Sequence, residues 1–273
     1  MGPPIGLALG SGREMPPRRT TGNEHPRYFQ ADQPDGVPPL ELTGERTLPD
    51  VPEENYWYRR HLAVYEWIAE RCAGMSVADL ACGEGYGTDV LARRAAEVVG
   101  VDANPEAFEH AGMRYRRPNL RFERGLVEEF EGPVDAIVFL QTIEHVQQPG
   151  DLCARIAAGA PVAYISTPNR LTLAGPNAEK SDNPWHVREY TVEEYRRMLE
   201  PHFSRVEILG VFHARALRAH ELAVRAGWDR VHRALRITKP FYDRFVPAIS
   251  AKDFALREER LDEALDFLAI CHA

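Results

Sequence analysis

The chain has 273 residues, of which 44% are hydrophobic, and a formal net charge of −8 at pH 7. This length allows one or two domains with a sizeable core, and no apolar run reaches the ~20 residues that a membrane-spanning helix needs. The acidic balance disfavours a nucleic-acid partner, which usually requires a basic surface. The four cysteines follow neither a disulfide nor a metal-binding spacing, so we expect a reduced, cytoplasmic protein.

The N-terminal region differs in composition from the rest. Residues 1–52 hold ten of the 21 prolines and seven of the 20 glycines. Because little apolar periodicity accompanies them, we predict a disordered tail over 1–42 and one folded domain over 43–273. Residues 55–72 place apolar side chains at helical spacing and are predicted to form an amphipathic helix.

Apolar strands then alternate with helices, which indicates a parallel sheet flanked by helices. Strands are predicted at 77–81, 98–102, 120–124, 135–140, 162–166, 205–212 and 265–271, and helices at 88–96, 105–116, 150–159 and 191–200. Residues 213–264 are rich in Arg, Ala, Leu and His at helical spacing and are predicted to form a helical insertion. The sequence leaves two roles open for this insertion: a substrate lid, or an element for packing or homodimer formation.

The most informative motif lies in the first predicted strand–helix–strand unit. Asp79 precedes the turn Ala81-Cys82-Gly83-Glu84-Gly85-Tyr86-Gly87, and the second strand ends in Asp102. Such units bind adenosine-containing cofactors, with the second acid on the ribose hydroxyls. The spacing is G-x-G-x-G and not the dinucleotide G-x-G-x-x-G, and a carboxylate before the turn suits a cationic amino-acid group better than a pyrophosphate.

Together these features resemble motif I of class I S-adenosylmethionine (SAM) methyltransferases, with Ala81 in place of the first glycine. Asp102 matches their motif II acid, whereas Leu126 stands where they often have an adenine-binding Asp. The resemblance implies SAM as cofactor and a Rossmann-like α/β fold with a seven-stranded, mostly parallel sheet whose last strand is antiparallel. The predicted SAM-binding residues are Asp79, Ala81, Gly83, Gly85, Asp102, Ala103, Gly125, Gln141, Tyr56 and Arg60.

Polar residues after the fourth and fifth strands are the candidate catalytic groups. Gln141, Glu144 and His145 stand at i, i+3 and i+4, which places them on one side of a helical segment. A saccharide hydroxyl is weakly acidic, so its methylation needs a general base, typically His, or a metal ion. We therefore predict catalytic roles for His145, Glu144 and His186. Asn169, Arg188 and His213 are predicted acceptor ligands.

The same residues resemble a metal site. Glu-x-x-Glu-His after strand four, with a later His, is typical of small-RNA 2′-O-methyltransferases, and ubiquinone-pathway O-methyltransferases are similar. Here Glu144, His145 and His186 match, but Gln141 replaces the first Glu, which weakens a site for a hard cation. Binding of Mg²⁺ or Mn²⁺ and metal-free base catalysis by His145 are both open.

A narrower resemblance concerns the acceptor. Residues 43–49 and 54–61, with the segments I-E-H, S-T-P-N-R, N-P-W-H and G-V-F-H, resemble the 1-O-methyltransferases of methylmannose polysaccharide synthesis and related glycan O-methyltransferases. The resemblance implies O-methylation of a saccharide or glycosylated small molecule. An acceptor of the phenolic natural-product or quinone type, an RNA acceptor and a non-catalytic SAM-binding subunit are the alternatives.

Overall fold

The computed structural model describes residues 27–28, 30, 33–41, 46–174, 178–235 and 237–273. Two short strands, β1 (Arg27–Tyr28) and β2 (Leu40–Glu41), pair antiparallel. The other strands form one eight-stranded sheet. They are β3 (Ser76–Leu80), β4 (Glu97–Asp102), β5 (Leu120–Arg124), β6 (Ala136–Leu140), β7 (Val162–Pro168), β8 (Arg205–His213), β9 (Phe254–Arg257) and β10 (Asp266–His272).

Helices connect these strands, as the alternating pattern predicts. They are α1 (Asn55–Arg71), α2 (Tyr86–Ala92), α3 (Pro105–Arg114), α4 (Pro149–Gly159), α5 (Arg170–Leu173), α6 (Val192–Leu199), α7 (Arg215–Arg225), α8 (Trp228–Leu235) and α9 (Thr238–Ala248). The N-termini of two helices are stabilised by capping side chains. Asn104 caps α3 ahead of Pro105, and Thr191 forms a capping box with Glu194 at the start of α6.

The strand order in the sheet is β5-β4-β3-β6-β7-β10-β8-β9. β3 to β7 run parallel to one another, so their carboxyl ends meet at one edge. β10 lies antiparallel between β7 and β8, as the resemblance implies. Apolar side chains fill both faces of the sheet: α1 and α2 cover one, and α4 and α6 cover the other. The edge formed by the carboxyl ends of β3 to β7 is where ligands bind in such folds.

The sheet has one strand more than predicted. The insertion is helical through α9, but residues 254–257 then form β9, which pairs antiparallel with the end of β8. The pairing runs from His213 opposite Phe254 to Gly210 opposite Arg257. The Phe254 side chain is buried against Tyr56, and this contact fixes a strand that is too short to stand out in the sequence.

The predicted disordered tail needs correction where the structure describes it. We call Gln30 and residues 33–41 the N-terminal strap. Val37 and Leu40 are buried, and Leu40 packs with Leu48 and Val51. The physical reason is that a few well-placed apolar side chains anchor an irregular segment without any helical or strand periodicity. Residues 1–26 and 42–45, which also belong to the predicted tail and domain start, lie outside the described residues.

Among the described residues, no helix combines the length and apolar character that crossing a membrane requires. All four cysteines are buried thiols.

Candidate active site

A strained turn joins β3 to α2 at the ligand-binding edge of the sheet. Ala81, Gly83 and Gly85 adopt φ angles of 56°, 57° and 95°. A Cβ on Gly85 would lie 2.8 Å from the Ala111 Cβ, so only glycine fits there. The positive φ at Ala81 is unusual for a residue with a side chain, and such strain tends to cluster at functional sites.

Asp102, at the end of β4, is fixed against this turn. Its Oδ2 accepts a hydrogen bond from the Gly83 backbone N–H at 2.7 Å, and its Oδ1 accepts one from the Asn104 N–H at 2.8 Å. Gly125, after β5, donates its N–H to the Asp102 carbonyl at 3.2 Å, and Ala103 is exposed beside it. The predicted cofactor residues on β3, β4 and β5 therefore come together.

Asp79 lies beneath the turn and is fully buried. Its Oδ1 accepts from the Tyr65 hydroxyl at 3.2 Å and its Oδ2 from the Thr88 hydroxyl at 2.7 Å. Burial raises the pKa of Asp79 to about 7, although both hydrogen bonds lower it. Both oxygens thus bind protein groups, so Asp79 supports the turn in this structure, and its predicted contact with the cofactor stays a prediction.

Glu84, inside the glycine turn, is a residue that the sequence reasoning missed. Its buried carboxylate accepts hydrogen bonds from Gln30 Nε2 at 2.8 Å and from the Tyr115 hydroxyl at 2.8 Å. His110 Nε2 lies 3.2 Å away. The motif treats this position as variable. The only signal in the sequence is a charged residue between two glycines of the turn.

Gln141 follows β6 with a φ of 52°. Its side-chain amide donates to the Ser166 hydroxyl of β7 at 3.0 Å. The next residues, Ile143–His145, form a single 3-10 turn. The predicted helical spacing therefore does not extend back to Gln141, because its left-handed backbone turns the chain before the helix begins.

Glu144, His145 and His186 converge at the end of β6, as predicted. One possible ligand atom from each lies within 4.8 Å of the others, and the two imidazole centroids are 5.0 Å apart. Backbone hydrogen bonds bring the distant loop here: the N–H groups of Val187 and Arg188 donate to the Glu144 carbonyl at 2.8 and 3.1 Å.

Each histidine of this cluster is held through Nδ1. His145 Nδ1 lies 2.9 Å from the Trp185 carbonyl, and His186 Nδ1 lies 2.6 Å from Glu189 Oε1. Because these partners accept, each Nδ1 carries a proton and each Nε2 carries the lone pair. His186 Nε2 accepts from the Asn183 amide at 2.9 Å. Burial alone would raise the pKa of Glu189, but hydrogen bonds from His186 and Ser181 lower it.

Glu144 gives the cluster its carboxylate. It is 1% exposed, and its Oε2 accepts from the Thr167 hydroxyl at 3.1 Å. Burial raises the pKa of Glu144 to about 8. One carboxylate oxygen and one nitrogen from each imidazole form a donor set that divalent transition-metal ions accept better than Mg²⁺ does, because Mg²⁺ prefers oxygen ligands. Histidines whose Nδ1–H is bound to a carbonyl or a carboxylate are typical of metal ligands, so these residues fit a Mn²⁺-like ion provided that His186 Nε2 exchanges its hydrogen bond from Asn183 for the ion.

Three predicted ligands, Tyr56, Arg60 and His213, instead lie inside the protein. Arg60 and Asp266 form a buried, doubly hydrogen-bonded ion pair. The Tyr56 hydroxyl lies 2.8 Å from His213 Nε2, and His213 Nδ1 lies 3.4 Å from Glu221. Burial raises the pKa of Tyr56 to about 12. These side chains connect α1 to β8, β10 and α7, and their contact with cofactor or acceptor stays a prediction.

Asn169 also has a structural role. The strand before it is two residues longer than predicted, so Asn169 caps α5 by accepting from the Leu171 N–H at 3.0 Å. Its amide donates to the Ala264 carbonyl at 2.8 Å, and the residue is fully buried. Its predicted contact with the acceptor stays a prediction. Arg188 is exposed, with its guanidinium 5.3 Å from the Tyr190 ring centre, and stays a candidate.

Comparison with known proteins gives consistent matches. Residues 77–158 match the family described as "Methyltransferase domain". The chain is 39% identical over 256 residues to a protein of Mycolicibacterium smegmatis described as a probable S-adenosylmethionine-dependent methyltransferase, covering 87% of this chain and 97% of that protein. A Mycobacterium tuberculosis protein of the same description is 34% identical over 267 residues, covering 90% and 96%.

Two further matches are more distant. A ubiquinone biosynthesis O-methyltransferase of Albidiferax ferrireducens is 29% identical over 180 residues, covering 59% of this chain and 70% of that protein. The crystal structure of a SAM-dependent methyltransferase from Thermotoga maritima shares the fold at a TM-score of 0.54 and 14% identity, covering 81% of this chain and 94% of that chain.

Proposed function

This chain belongs to the class I SAM-dependent methyltransferases, and we propose that it transfers the methyl group of SAM to a hydroxyl of a saccharide or glycosylated small molecule. The observation that carries this proposal is the convergence of Glu144, His145 and His186 at the end of β6. β6 is the sheet neighbour of β3, whose glycine turn begins the cofactor site. Groups that can activate a hydroxyl thus lie one strand away from that turn.

The groups that hold SAM are the glycine turn after β3 and Asp102 at the end of β4. Asp102 accepts hydrogen bonds from the ribose hydroxyls of SAM, and the backbone of Gly83 approaches the cofactor closely because the space at its Cβ position is open. The sulfonium carbon is already activated toward displacement. The protein must therefore hold the acceptor oxygen in line with it and remove the hydroxyl proton.

For proton removal we propose that Glu144, His145 and His186 hold a divalent ion. When bound, such an ion stabilises the alkoxide form of a hydroxyl. It would also offset the free-energy cost of ionising Glu144 in its buried position. His145 Nε2 acting alone as general base is the second version, because its Nδ1 is already committed to the Trp185 carbonyl.

Support for a saccharide comes from the surface beside this cluster. The Trp185 side chain is 48% exposed, and its backbone carbonyl accepts a hydrogen bond from His145, so an exposed indole belongs to the loop that positions His145. An exposed aromatic face beside polar groups suits a ring that is apolar on one face and hydroxylated at its rim. Arg188 is exposed on the same loop and can donate to hydroxyl oxygens.

A phenolic or quinone-derived acceptor is the second candidate, favoured by the similarity to a ubiquinone biosynthesis O-methyltransferase. A phenol ionises near ~10, far below an alcohol, and needs less assistance from a metal or base. Dependence of the reaction on the Glu144 cluster therefore separates the two acceptors.

The test is methyl transfer by the metal-depleted and the reconstituted enzyme. With a metal site, EDTA abolishes activity and Mg²⁺ or Mn²⁺ restores it, while Glu144→Ala and His186→Ala raise the metal concentration required. With His145 as a free base, chelation changes nothing, and His145→Ala alone lowers the rate about 10²–10⁴-fold. His272→Ala, a half-exposed histidine at the opposite edge of the sheet, is the matched control. Full activity of a Glu144→Ala/His145→Ala double variant would contradict both versions.

A further inference from the structure

The N-terminal strap is attached to the cofactor turn through a buried polar cluster. Gln30 donates its Nε2 to Glu84, which lies between Gly83 and Gly85. His110, on α3, approaches Glu84 with Nε2 at 3.2 Å and the Pro38 carbonyl of the strap with Nδ1 at 2.7 Å. The strap therefore meets the turn and the first helix after Asp102, which are the two elements that frame the SAM site.

The orientation of the Gln30 amide follows from its partner. A carboxylate can only accept, so the NH₂ group must face Glu84 and the oxygen must face away from it. Gln30 is 4% exposed, and its Oε1 finds no hydrogen-bond partner among the described residues. Buried acceptors without a partner are uncommon in folded proteins, and a bound group that donates to the oxygen is one explanation for such an atom.

We propose that Gln30 is a SAM ligand supplied by the N-terminal strap. Its Oε1 accepts a hydrogen bond from an N–H or O–H group of the bound cofactor, while its Nε2 holds Glu84 and so positions the glycine turn. The strap then belongs to the cofactor site, and bound cofactor stabilises its position. This inference rests on SAM binding by the family and not on the proposed acceptor.

The test compares Gln30→Met, which keeps the length of the side chain but removes both polar ends, with Arg27→Met. Arg27 lies in the neighbouring strand β1, and its ion pairs among the described residues, with Glu41 and Glu106, are at the surface, so it is the matched control. Calorimetry with S-adenosylhomocysteine should show about 3- to 10-fold weaker binding for Gln30→Met, the loss of one to two hydrogen bonds, and no change for Arg27→Met. In turnover, the KM for SAM should rise while the KM for the acceptor stays the same.

Unchanged S-adenosylhomocysteine affinity in a folded Gln30→Met protein would overturn the proposal and leave Gln30 a purely structural residue. If that variant does not fold, hydrogen exchange of the wild-type protein decides: protection of residues 33–41 should increase on adding S-adenosylhomocysteine, and unchanged protection overturns the proposal. Because these measurements need no acceptor, they stand whether or not the enzyme methylates saccharides.

Discussion

The buried carboxyl group of Asp79 makes the stability of the protein depend on pH. Its pKa in the folded state is about 7, against 3.8 for the free side chain. The folded protein therefore binds this proton more tightly than the unfolded chain does. The contribution of Asp79 to the free energy of unfolding is present below the unfolded pKa and is lost as pH rises through about 7.

Asp79→Asn should remove this dependence, since an amide does not titrate. We expect the Tm of the wild type, measured relative to that of Asp79→Asn, to be higher near pH ~5 than near pH ~8. Thermal unfolding of the two proteins across this range provides the measurement. A Tm difference that stays constant with pH would show that Asp79 is ionised in the folded protein throughout.

Asp102 is the residue on which cofactor affinity should depend most directly. Asp102→Ala removes the proposed ribose contact and the hydrogen bonds from Gly83 and Asn104. Losing hydrogen bonds to a charged group costs roughly 1.5–3 kcal/mol, so S-adenosylhomocysteine should bind about 10- to 150-fold more weakly. Asp151→Ala, an exposed aspartate on α4, is the control. Equal affinity in calorimetry, or preferential binding of NAD, would contradict the assignment.

Among the elements, the N-terminal strap is held by very few side chains. Leu40 is 1% exposed and packs against Leu48 and Val51. Leu40→Ala should therefore lower the free energy of unfolding by about 2–5 kcal/mol, the usual cost of truncating a buried leucine. Glu41→Ala, next to it and partly exposed, should change little. A Leu40→Ala protein with the Tm of the wild type would mean that the strap does not contribute to the folded core.

Elements with strong periodicity could be predicted, and those fixed by single contacts could not. The strands of the parallel half and the helix over residues 55–71 follow the predicted positions to within two residues or so, since each buries a continuous apolar pattern. β9 has four residues and depends on the length of β8 and on Phe254. The strap depends on Leu40, Val37 and Gln30, which carry no repeating pattern.

At the scale of the whole molecule, strand order determines which predicted site residues meet. The carboxyl ends of β4, β3 and β6 follow one another in the sheet, which brings Asp102 to the glycine turn and places the Glu144 cluster at the end of the strand next to that turn. Tyr56, Arg60 and His213 also approach that edge, but their partners Asp266 and Glu221 are distant in sequence. The amino-acid sequence shows that these side chains are polar. It does not show that they are buried in pairs, because the partners come together only in the folded protein.

The mass of the product shows which class of acceptor the enzyme methylates. The enzyme is incubated with SAM and a panel of mannosides, other saccharides and phenols, and products are detected by mass spectrometry. We expect a saccharide product heavier by one methylene group, formed by the wild type and by His272→Ala and strongly reduced in Glu144→Ala/His145→Ala. Methylation of phenols alone, or of saccharides at full rate by the double variant, would contradict this expectation.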